Sequence, residues 1–153
     1  MTQLTEHSLV NELKNAFHAI PFNQLLGLKI QEINDEHITL TFQMKKELIG
    51  NYLQGILHGG VISSVLDAAG GVTAMLAIIA KNPSVSLHDL TTSLKKSGTI
   101  NLNIDYLRPG KGENFLAKAW IIQAGNKICF ARMECYNQEN LLIATGSGTY
   151  LIG

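Results

Sequence analysis

The sequence predicts an α+β domain in which one curved antiparallel sheet of about six strands wraps a single long helix, under an N-terminal helical cover. Three observations predict it. From Gly59 to Ala80, 22 residues include one ionisable side chain, Asp67, and a helix apolar nearly all round must be surrounded by the rest of its fold. Two strand-like segments precede that helix and four follow it, joined mostly by short turns that favour antiparallel neighbours. The chain has 153 residues, 46% hydrophobic and 16% charged, enough to bury its own core without disulfides or metals. The organisation read from this is one domain over residues 1–153.

Each element has its own signal. Leu9, Leu13, Phe17 and Ile20 repeat at helical spacing within residues 7–26, and Pro21 then starts a short second helix, PFNQLL, that Gly27 can close. LKIQEI and HITLTFQM alternate apolar and polar residues on either side of the turn NDE, the pattern of a hairpin. A glycine-dense loop, KKELIGNYLQGILHGG, leads into the apolar helix. Residues 81–98 are polar, with Leu87, Leu90 and Leu94 at helical spacing, and predict a helical extension or a short extra helix. The remainder, TINLNIDYL, ENFLAKAWIIQA, KICFARMECYNQ and LLIATGSGTYLI, is strand-like throughout. Its connections RPGKG, GN and QEN are short enough to predict that all four strands are sequential neighbours.

Composition excludes several classes. Twelve Lys and Arg balance 12 Asp and Glu, so no bulk positive charge is available for nucleic acid. Cys129 and Cys135 lie six apart in one predicted strand, about 20 Å from end to end at ~3.3 Å per residue. They cannot pair within it and fit no metal spacing, which suits a reducing cytoplasm. The first twenty residues lack the apolar core of a secretory signal. The stretch 59–80 has the length of a membrane span, but Asp67 near its middle would cost about 2.5–3.5 kcal/mol there, and no basic cluster or aromatic belt flanks it.

The candidate chemistry lies in NYLQGILHGGVISSVLD, Asn51 to Asp67. Gly59 and Gly60 open the helix, where free N–H groups at the positive end of the macrodipole can receive a developing oxyanion. Asp67 stands about 12 Å further along at 1.5 Å per residue, too far to act with Gly59 on one carbonyl in the same chain. Two copies of the helix packed side by side could unite them. A carboxylate satisfied locally by Ser63, Ser64 or Thr73 is the structural alternative, although a lone Asp in an apolar helix calls for a reason.

LHGGVISSVLD, with His-Gly-Gly nine residues ahead of an acidic residue, followed by IDYLRPG, resembles the hotdog-fold acyl-CoA thioesterases of the PaaI-like type. PFNQLLGL, GNYLQGILHGG, SGTINLNIDYLRPGKGE, AGNKICFARMEC and IATGSGTYLIG are most similar to its YigI-type branch, acting on medium- and long-chain acyl-CoA. The resemblance runs from about Val10 to the end. It implies a thioester hydrolase that needs no cofactor beyond the coenzyme A of its substrate and no metal. It also implies a homodimer or dimer of dimers, with sheets joined edge to edge and sites at the interface.

By the same resemblance Asp67 is the general base or nucleophile, the Gly59 N–H polarises the thioester oxygen, and Gly60 permits close approach. His58 is the motif histidine, orienting its loop or merely capping the helix. Relatives carry an amide six residues before that histidine, where this chain has Tyr52; Asn51 or Gln54 would take the role of orienting water or substrate. Thr99 matches a position where some relatives hold a hydroxyl near the attacking water. Arg108 and Lys111 suit coenzyme A phosphates, and Lys127 and Arg132 are further candidates of that kind. Leu25, Met75, Leu76 and the N-terminal cover are candidate walls of an acyl channel. Two other readings stay open: a hydratase or dehydratase with His58 as acid/base, and an acyl-CoA binding protein without catalysis.

Overall fold

The computed structural model describes residues 8–34 and 36–153. His7, at the head of the expected amphipathic stretch, and Asp35, in the first expected turn, lie outside the described residues. Helix α1 (Ser8–Ala19) buries Leu9, Val10, Leu13 and Phe17 along one face. Pro21 opens α2 (Pro21–Leu26), and Gly27, at φ 71°, ends it in the left-handed conformation that glycine adopts without cost. The corner between them is locked by the buried Asn23 amide, which donates to the Phe17 carbonyl at 2.9 Å.

Strands β1 (Lys29–Ile33) and β2 (Ile38–Gln43) form the expected hairpin, with Ile38, Leu40 and Phe42 turned to the core. The glycine-dense loop is more ordered than its composition suggests. It contains one 3-10 turn and a two-stranded hairpin of its own, β3 (Ile49–Asn51) and β4 (Ile56–Leu57). Helix α3 (Gly59–Lys81) follows. Asn82 and Pro83 break it, and a separate helix α4 (Leu87–Lys96) starts where Ser86 accepts from the Asp89 N–H. The chain closes with β5 (Gly98–Tyr106), β6 (Asn114–Ala124), β7 (Ile128–Asn137) and β8 (Leu142–Leu151).

The main sheet is antiparallel with order β1-β2-β6-β7-β8-β5. The two shortest connections do make neighbours, but β5 and β6 are three positions apart, which corrects the expectation drawn from RPGKG. Three strand spacings amount to about 14 Å, and residues 107–113 can span about 23 Å. This segment therefore passes over the β7–β8 turn, held by Leu107 and Arg108 N–H groups on the Ile143 carbonyl and by the Asn137 amide on the Lys111 carbonyl.

Small inward residues, Ala117, Ala119 and Ala131, let α3 approach the sheet closely, with Val65, Leu66, Ala69 and Ile79 fully buried against it. α3 is long and apolar enough to cross a membrane, but 67% of its most apolar window is buried inside the fold. It is the core helix of a wrapped sheet. Cys129 and Cys135 sit unpaired and buried on β7, and burial pushes their thiols up to about 11 and about 12.

Candidate active site

At the start of α3, His58 takes an extended conformation and caps the helix with its own ring: Nδ1 accepts from the Gly60 N–H at 2.8 Å. The main-chain N–H of His58 donates to the Leu48 carbonyl at 2.8 Å. Packing holds it there, since a Cβ on Gly50 would stand 2.6 Å from the His58 Cα. His58 lines neither of the cavities described below.

The cap consumes one donor and leaves another. Gly60 gives its N–H to His58, whereas the Gly59 N–H has no acceptor among the described residues. Gly59 lies in a cleft of about 360 Å³ with Ile62, Tyr106, Arg108 and Pro109. The Tyr106 hydroxyl donates to the Gly59 carbonyl at 3.1 Å, a contact across 47 residues that sequence reasoning missed. Arg108 donates through Nη1 to the Leu142 carbonyl at 2.9 Å, and Lys111 lies exposed on the same crossing segment.

Asp67 stands two turns further along α3, half-buried, at the wall of a different cavity of about 410 Å³. That cavity is apolar over most of its lining, with Leu13 and Phe17 from α1, Met75 from α3 and Leu94 from α4. None of the local hydroxyls satisfies Asp67: Ser63 and Ser64 donate to the Gly60 carbonyl and Thr73 to that of Ala69. Thr99, at the start of β5, donates to Asp67 Oδ1 at 2.8 Å. The Tyr150 hydroxyl, from β8, donates to the Asp67 carbonyl at 3.4 Å. Burial, with the Asp67 carboxylate beside it, pushes the Tyr150 phenol well above its ordinary value.

The remaining candidates are spread out. Asn51 accepts the Leu53 N–H on its side chain at 3.1 Å, turning the β3–β4 hairpin, and Gln54 is exposed in that turn. Neither lines the Gly59 cleft or the Asp67 cavity. Met75 lines the Asp67 cavity as expected, but Leu25 is exposed and Leu76 faces a separate pocket beside His37. Lys127 and Arg132 lie at the start and on the outer face of β7, apart from Arg108. The Gly59 cleft and the Asp67 cavity share no lining residue, so one chain alone does not bring donor and carboxylate together.

Comparison with known proteins agrees with this architecture. The model of the thioesterase superfamily matches residues 54–144, a span that holds Gly59, Asp67, Thr99 and Arg108. The medium/long-chain acyl-CoA thioesterase YigI of Escherichia coli is 41% identical over 134 residues, 88% of this chain and 86% of that protein. A Shewanella oneidensis protein related to the thioesterase superfamily superposes with a TM-score of 0.91 at 40% identity, covering 95% of each chain. A Syntrophus aciditrophicus protein follows at 0.84 and 35%, covering 97% of this chain and 99% of that one.

Proposed function

The chain belongs to the thioesterase superfamily and is a thioester hydrolase, and from that premise we propose that its substrate is a medium- to long-chain fatty acyl-CoA, released as free acid and coenzyme A. One observation carries the reading: a single carboxylate, Asp67, held by Thr99 at the wall of a mostly apolar cavity of about 410 Å³. A volume of that size suits an acyl tail. Its apolar lining would bind that tail through area, at about 0.8 kcal/mol per buried methylene.

The Gly59 N–H polarises the thioester carbonyl, and a fixed donor of that kind lowers the barrier by roughly 3 kcal/mol. Asp67 either takes a proton from the attacking water or attacks the carbonyl carbon itself, leaving a mixed anhydride that water then opens. Both routes expel coenzyme A thiol and need no further cofactor. Arg108 and Lys111 meet the coenzyme A phosphates beside the Gly59 cleft.

In this reading the enzyme is a homodimer, or a dimer of dimers, whose partner copy completes each site. Support comes from the separation of the Gly59 cleft and the Asp67 cavity, and from surfaces that one chain leaves open. Among the described residues β5 pairs on one side only, with Ile100 exposed, and Tyr52 and Leu53 stand 83% and 82% exposed on the β3–β4 hairpin. Across such an interface Asn51 or Gln54 orients water or substrate. The domain spans 1–153, and the cytoplasm suits its two unpaired thiols.

The test is thiol release from a chain-length series of acyl-CoA. Wild type should favour medium and long chains, and Asp67→Asn should lower kcat by about 100-fold or more, the scale of losing a positioned acid/base group. Asp67→Asn within a few-fold of wild type would remove Asp67 from the chemistry.

A further inference from the structure

We infer that Tyr150 is a positioning residue for Asp67, an inference that rests on Asp67 being the catalytic carboxylate. In the sheet Tyr150 lies directly opposite Thr99, β8 against β5. Two hydroxyls from adjacent strands therefore reach one residue of α3, Thr99 to the Oδ1 at 2.8 Å and Tyr150 to the main-chain carbonyl at 3.4 Å. The first holds the carboxylate and the second holds the turn of helix that bears it.

The slot for the phenol is built from two elements. Tyr150 is 2% exposed. A Cβ on Gly70, in α3, would stand 2.1 Å from its hydroxyl oxygen, and one on Gly148, in β8, 2.5 Å from its ring. Glycine is less stable than alanine in the middle of a helix or strand, so both elements give up stability to seat one side chain. Packing alone would be served by a phenylalanine; the hydroxyl adds a bond to Asp67. Because the phenol stays protonated, it remains a donor toward Asp67 throughout the working pH range.

An error of about 1 Å in the placement of a reacting group can cost about 100-fold. Removing the hydroxyl should therefore appear in turnover and not in substrate affinity. Tyr150→Phe keeps the ring and should lower kcat for thiol release about ten-fold or more, with KM within about two-fold. In an Asp67→Asn background the same change should alter the residual rate by less than about two-fold, because the group it positions is gone. Gly70→Ala, which drives a methyl group into the phenol oxygen, should also lower kcat with KM preserved, and circular dichroism melts verify that each variant is folded.

Two results overturn the assignment: Tyr150→Phe and Gly70→Ala, both folded, with kcat within about two-fold of wild type, or Tyr150→Phe lowering the Asp67→Asn residual rate by the factor seen in wild type. The first makes the hydroxyl idle and the second makes its role purely structural. Wild-type hydrolysis by Asp67→Asn alone would instead strike the reading of Asp67 beneath it, so the two failures are told apart.

Discussion

His58 fixes the start of α3 without lining either cavity. Its ring accepts from Gly60 and holds the first turn of α3, and in doing so leaves the Gly59 N–H as the free donor. A capping interaction is worth about 1 kcal/mol, and Asn caps as well as any residue. His58→Ala should therefore lower stability by about 1 kcal/mol, with a loss of thiol release, while His58→Asn restores both; urea unfolding and the thiol assay read the two quantities. Acid/base chemistry at His58 would leave the Asn variant inactive. The residues legible in the sequence, Gly59, His58 and Asp67, owe their signal to short spacing on one helix. The hydroxyls around Asp67 come from positions 32 and 83 residues away. No local pattern announces such a meeting, although alternate glycines ahead of Tyr150 in IATGSGTY mark a strand that something approaches closely.

Among the elements, those with local rules follow the sequence closely. The apolar α3, the β1–β2 hairpin and the β6–β7–β8 meander are set by periodicity and by turns too short for other solutions. β5 is different, because residues 107–113 are long enough to reach a neighbour or to cross two strand ends, and only the packing of the whole sheet decides. The role of α4 was likewise not legible, since its position depends on where α3 ends. It anchors through the buried Leu90 and turns Leu94 toward the cavity that holds Asp67. This helix should set acyl length. Leu94→Trp would displace two or three methylenes, about 2 kcal/mol at ~0.8 kcal/mol each, lowering kcat/KM for the longest acyl-CoA about 30-fold. Leu94→Ala should move the preference toward longer chains. Unchanged ratios across a chain-length series would take α4 out of the acyl site.

For the whole molecule, the question is how a donor at Gly59 and a carboxylate at Asp67 come to act on one carbonyl. They lie about 12 Å apart along α3 and open into separate cavities. In the proposed two-fold pair of chains, α3 beside its symmetry mate would give each site a donor from one copy and a carboxylate from the other. The neutral chain, with 12 basic and 12 acidic residues, fits the proposed ligand held mainly by its tail, whose phosphates would be met only around Arg108.

Complementation between two inactive chains tests this directly. Gly59→Pro removes the N–H at the first helical position, where proline is well tolerated, and the extended His58 before it suits a following proline. Alone, Gly59→Pro and Asp67→Asn should each release little thiol. Co-expressed in equal amounts they should form mixed dimers in which one site keeps both groups, restoring about a quarter of wild-type activity. A mixture no more active than its parents, with mixed dimers shown by mass spectrometry, would place donor and carboxylate in the same chain and contradict the shared site.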